Sequence, residues 1–84
     1  MCIELSSSIV SNKTLDCKGF YCPEPVFRTR LELDKMTIGE VLEVIADDPA
    51  AEADIKAWAK RAGNEILKFE KEGTILTFYI KRMK

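Results

Sequence analysis

Cys22-Pro23-Glu24-Pro25 places a thiol immediately before two prolines, where an apolar, helix-like run begins. Proline is tolerated in a helix's first turn, because the N–H groups there have no intrahelical partner to lose. The order therefore predicts Cys22 as the N-cap, Pro23 at the first helical position and Pro25 at the third. A thiol at that point meets the positive end of the helix dipole and unpaired backbone N–H groups. That setting favours thiolate, the nucleophilic form of cysteine. The chemistry on offer is attack by sulfur.

The same cysteine has a plainer reading, since free cysteine is commonly an inert, buried small hydrophobe. Position at a cap and two stiffening prolines argue for reactivity. Lys18, Arg28 and Arg30 add positive charge nearby in sequence, whereas Glu24 opposes a thiolate. Cys17, five residues earlier, reads as a buried residue ending a first strand. Its alternative role is a resolving thiol that closes a disulfide with Cys22, although the spacing is not the CxxC of thioredoxin-like proteins. Cys2 reads as incidental. Asp47-Asp48 with Glu52 and Asp54 could suggest a divalent-metal site. Helix capping explains them better, because acids favour a helix's first turn. Trp58 and Phe20 read as core, and Tyr21 is open between core and docking rim.

Composition narrows the classes. The 84 residues suit one domain and carry a net charge of −1, which argues against a general polyanion binder. Histidine is absent, so Ser-His and Cys-His pairs and His-containing metal sites are excluded. Three cysteines are an odd count and a poor disulfide framework, which fits a reducing cytoplasm. No apolar run approaches the ~20 residues needed to span a bilayer. The first residues do not resemble a secretory signal.

The elements that position the thiol follow from periodicity. Residues 1–12 read as a loosely held extension with room for a short strand, and 13–84 as a single domain. Lys13 to Cys17 reads as a first strand, stopped near Gly19. The Cys22 helix runs to about Asp34 or Lys35. Val26, Phe27, Arg30, Leu31 and Leu33 form its apolar stripe, with Arg28 and Glu32 outward. Glu40 to Asp47 is a second strand, apolar on both faces as a central strand should be. Asp48-Pro49 opens a second helix, with Ala51, Ile55, Trp58 and Ala62 on one face and Gly63 as its stop. Glu65 to Lys71 is a third strand with Leu67 and Phe69 on one face. Glu72-Gly73 turns into a fourth, Thr74 to Lys81, with Leu76, Phe78 and Ile80 together. The order βαβαββ predicts an α+β, two-layer sandwich: a four-stranded mixed sheet with both helices on one face.

Residues 15–26, from Leu15-Asp16-Cys17 through Cys22-Pro23-Glu24-Pro25-Val26, resemble the signature of the TusA/SirA-like sulfur-carrier family. Residues 39–50, from Gly39-Glu40-Val41 to Asp48-Pro49-Ala50, resemble its second block, and the likeness covers residues 14–82. The resemblance implies the same βαβαββ sandwich. It implies that Cys22 is the carrier residue, which receives sulfane sulfur as a persulfide and relays it. It also implies a cysteine desulfurase or other sulfur donor as one partner and a downstream acceptor protein as the other. Pathways served by such carriers include tRNA thiolation, cofactor sulfuration and sulfur metabolism. Pro23, Glu24 and Pro25 support the motif; no role for Cys17 carries over. Neither a cofactor nor a metal is expected, nor direct nucleic-acid binding, and the role is closer to a carrier than to a self-contained enzyme. The competing readings are a thiol–disulfide redox protein using Cys17 and Cys22, and an RNA-binding or regulatory module.

Overall fold

The computed structural model describes residues 11–21 and 23–84. Six elements follow one another: β1 (Lys13–Asp16), α1 (Glu24–Asp34), β2 (Val41–Ala46), α2 (Ala51–Ala62), β3 (Glu65–Glu72) and β4 (Ile75–Lys81). The strands form one mixed sheet in the order β1-β2-β4-β3. β1 and β2 are parallel, as a strand–helix–strand crossover requires, and both other pairings are antiparallel.

The α+β two-layer sandwich expected from the sequence is the fold observed. Leu42, Val44 and Ala46 of β2 sit opposite Ile80, Phe78 and Leu76 of β4, and all six are buried. Leu33, Met36, Ala51 and Ile55 complete the same core from the helix side. The other sheet face carries a polar row: Thr14, Glu43 and Tyr79 are cross-strand neighbours. The Thr14 hydroxyl donates to Glu43 at 2.9 Å and the Tyr79 hydroxyl at 3.2 Å. Burial first, then the Glu43 carboxylate, raises the Tyr79 phenol above its ordinary pKa.

Several boundaries and faces differ from the sequence reading, each for a local reason. A turn closed by Glu24 N–H to Tyr21 O (2.8 Å) precedes α1, so the helix begins at Glu24. Pro23 is its N-cap, with φ −97° and ψ 14° and its carbonyl accepting from Phe27 N–H, and Pro25 stands one position earlier than expected. The buried stripe of α1 is Pro25, Thr29 and Leu33, while Phe27 and Leu31 are exposed. A threonine can hold that buried place because its hydroxyl donates to the Pro25 carbonyl at 2.7 Å. Glu32 is not outward: it pairs with Lys13 at 2.7 Å, tying α1 to the edge strand. The Lys13 hydrogen bond, more than any other cause, lowers the pKa of its carboxyl.

α2 likewise starts later than expected. Asp48 caps a turn instead, its carboxylate accepting from Ala50 N–H (3.1 Å) and its carbonyl from Ala51 N–H (2.9 Å). Ala59 takes the buried place beside Ala51 and Ile55, and Trp58 is half-buried against the core. Gly63 ends α2 in the left-handed region at φ 79°, as its residue type predicted. In β3 the register shifts between Ile66 and Lys68. That bulge leaves Leu67 exposed, and Ile66 with Phe69 faces the core in its stead. The hairpin loop is Gly73-Thr74, one residue later than expected. Asn12, assigned to the extension, is tied to β2 by reciprocal bonds with Val41, both 2.8 Å. Cys2 and residues 1–10, with the short strand considered there, lie outside the described residues.

Candidate functional site

The motif joins the end of β1 to the start of α1. Cys22 itself lies outside the described residues, and the N-cap position expected for it is held by Pro23 instead, so the site is read from its chain neighbours. Tyr21 is 74% exposed, and Pro23 and Glu24 are exposed too. Pro25, in contrast, is buried in the first turn of α1. One proline of the motif therefore faces solvent and the other anchors the first turn in the core.

The approach segment 17–21 is held at several points. Cys17 N–H donates to Ile45 O at 2.6 Å, extending the β1–β2 pairing by one residue. Lys18 N–H donates to the Asp16 carboxylate (2.9 Å) and Gly19 N–H to the Asp47 carboxylate (3.0 Å). Gly19 takes φ 88°, a left-handed turn that lets the chain reverse toward α1. Phe20 packs against the core, as its residue type suggested, and Tyr21 does not. The Arg28 guanidinium lies 4.0 Å from the centre of the Phe20 ring, and its Nε bonds Glu24 at 3.0 Å.

Cys17 is fully buried. Burial, partly opposed by Arg28 and reinforced by Asp16 and Glu24, pushes its thiol up to about 11. It therefore rests as a neutral thiol at neutral pH. Lys18 and Arg30 are exposed. A cleft of about 240 Å³ opens beside the motif, lined by Pro23, Val26, Asp54, Ala57 and Arg61. Among the described residues, no helix is long and apolar enough to cross a membrane.

Two contacts around the motif are not visible in the sequence reading. Asp47, which the sequence offers as part of an acidic cluster, anchors the loop before the motif with its carboxylate. Arg28, expected outward and as a positive charge near the motif, is exposed, and it touches residues on both sides of Cys22 in the chain. The four-residue spacing of Glu24 and Arg28 was the available signal, since such pairs meet on a helix surface.

The family model for sulfurtransferase TusA matches residues 13–82. The chain belongs to this family. The "Putative sulfur carrier protein" of Archaeoglobus fulgidus is 49% identical over 73 residues, which span 86% of this chain and 95% of that protein. The "Sulfur carrier protein TusA" of Allochromatium vinosum is 41% identical over 71 residues, 84% of this chain and 93% of the relative. The crystal structure of a SirA-like protein from Desulfitobacterium hafniense superposes with a TM-score of 0.74. It covers 86% of this chain and 99% of its own at 24% identity, a likeness of fold. Membership of the TusA family agrees with the resemblance carried by the CPxP segment.

Proposed function

We propose that this protein carries sulfane sulfur as a persulfide on Cys22. The observation that carries the reading is the CPxP motif at the start of α1, flanked by exposed Tyr21, Pro23 and Glu24, in a chain of the sulfurtransferase TusA family. In loading, the Cys22 thiolate attacks the terminal sulfur of a donor's persulfide. The donor's S–S bond breaks, a new S–S bond forms on Cys22, and the donor cysteine leaves as thiolate. Nothing is oxidised or reduced overall, so the step needs no cofactor. Discharge is the same exchange, with an acceptor thiolate attacking the sulfur held on Cys22. The donor is a cysteine desulfurase or another persulfide-forming protein. The acceptor serves tRNA thiolation, cofactor sulfuration or sulfur metabolism. Residues 13–84 form the carrier domain, and the reducing cytoplasm is the compartment that keeps its thiol free.

The burial of Cys17 weighs against a Cys17–Cys22 redox pair, because a resolving thiol must reach its partner as thiolate. The test is intact-mass measurement after incubation with a cysteine desulfurase, its pyridoxal phosphate and cysteine. Wild type should gain about 32 Da, one sulfur, and lose it on reduction. Cys22→Ser should gain nothing. Equal labelling of both proteins, or labelling of neither, overturns the assignment.

A further inference from the structure

We propose that Arg28 is a positioning residue for the Cys22 thiol, one guanidinium holding the chain on both sides of that residue. This rests on Cys22 being the loading residue. Phe20 stands two residues before Cys22 and Glu24 two residues after it. Arg28 lies over the ring of the first at 4.0 Å and bonds the carboxylate of the second at 3.0 Å. An exposed pair four residues apart contributes little to stability and usually has no further role. The second contact sets this one apart. Stacking on Phe20 ties the approach segment to α1, so the segment that delivers the motif cannot swing away without breaking both contacts.

The contacts also bear on charge. Glu24 is the acid nearest to Cys22 in the chain and disfavours a thiolate. Arg28 neutralises it in place and adds its own positive charge. The other charged groups around the motif are spread over the neighbouring elements. Lys18 is exposed in the approach segment, Asp47 is engaged by Gly19 N–H, and Asp54 and Arg61 of α2 line the cleft shared with Pro23. Arg28 alone among these both pairs with Glu24 and touches the approach segment.

The experiment is site-resolved alkylation of the full-length chain with iodoacetamide from pH 6 to 10. Peptide mass mapping separates Cys22 from Cys2 and Cys17. Arg28→Gln should slow alkylation of Cys22 at pH 7 by about threefold or more, the effect of raising the thiol by about half a pH unit. Arg28→Lys, which keeps the charge but loses the planar fork, should recover part of the rate. Glu24→Gln should move the profile the other way, toward faster reaction at pH 7. Both groups are about half exposed, so thermal melts should stay close to wild type. An Arg28→Gln protein that is folded and keeps the wild-type rate and profile overturns the proposal. Should Arg28→Gln fail to fold, Glu24→Gln decides: a faster Cys22 supports the role and an unchanged one overturns it. Sulfur loading is measured separately, so wild type that gains sulfur while these variants react alike would leave Cys22 as carrier and remove Arg28 from its control.

Discussion

Cys17 and Cys22 are five residues apart, yet Cys17 and the chain neighbours of Cys22 occupy opposite environments. Cys17 is fully buried at the end of β1, whereas Tyr21 and Pro23 are exposed. Burial has a measurable consequence at Cys17. Burial pushes its thiol up to about 11 in the folded protein, from an ordinary 9.0. Above pH 9 the unfolded chain releases this proton first, so rising pH favours unfolding. The stabilisation is complete below pH 9 and is lost as pH climbs toward about 11. Two units correspond to roughly 2–3 kcal/mol for one buried group. Urea titrations at pH 8 and 10.5 should show that loss in wild type. Cys17→Ala starts less stable but should show a smaller fall between the two pH values. An identical fall in both proteins would mean that Cys17 does not govern the alkaline limb. At this scale the sequence was only partly legible. Cysteine's habit of burial pointed correctly to Cys17, but Thr29 in the core and Phe27 in solvent ran against residue type. A hydroxyl can be satisfied within its own helix, and hydrophobicity alone does not show that.

At the scale of elements, α1 is the part that must stay fixed if the motif is to present a thiol. Its first turn is anchored by buried Pro25, and its far end by a residue from β4's extension. The Arg82 guanidinium donates to the carbonyls of Leu33 (3.1 Å), Asp34 (3.3 Å) and Met36. The Leu33 carbonyl also accepts from Met36 N–H at 3.0 Å, so Arg82 reinforces the turn that ends α1, and its positive charge suits the negative end of the dipole. Arg82 is itself held in place, because its backbone exchanges hydrogen bonds with Gly39 (2.7 Å) and Glu40 (2.9 Å). Arg82→Ala should cost on the order of 1–3 kcal/mol, the range for a lost charged hydrogen-bond donor at partly buried acceptors. Arg82→Lys should recover only part, since an ammonium cannot span several carbonyls as a planar fork does. Chemical denaturation gives the energies. Faster amide exchange at residues 35–40 would locate the damage, and unchanged exchange there would assign the loss elsewhere. Nothing in the local sequence signals this contact, because Arg82 and Leu33 are joined only through the sheet. The elements themselves were legible because their periods were clean, as Leu76, Phe78 and Ile80 show. The β3 bulge was not, since one extra residue reverses the alternation after Ile66 without any glycine to mark it.

At the scale of the whole molecule, the described residues of the two-layer fold share a hydrophobic core, to which β4 contributes Leu76, Phe78 and Ile80. Phe78 is fully buried, pairs across the sheet with Val44 on one side and Phe69 on the other, and stacks on the Phe69 ring at 5.0 Å. Leu33, Ile55 and Met36 belong to the same buried cluster. Phe78→Ala should cost about 3–5 kcal/mol through lost burial and the cavity left behind. Domains of this kind have total stabilities of roughly 5–15 kcal/mol, and small ones fall at the low end. The variant should therefore populate unfolded chains at 37 °C, while Phe78→Leu, which refills most of the space, should remain folded with a lower Tm. Sulfur loading separates the two consequences. On the proposed assignment of Cys22, a folded Phe78→Leu protein should accept sulfur as wild type does, because that chemistry would need only a presented thiol and a docking partner. Loss of loading in a fully folded Phe78→Leu protein would instead show that the core, beyond holding α1 in place, shapes what the donor recognises.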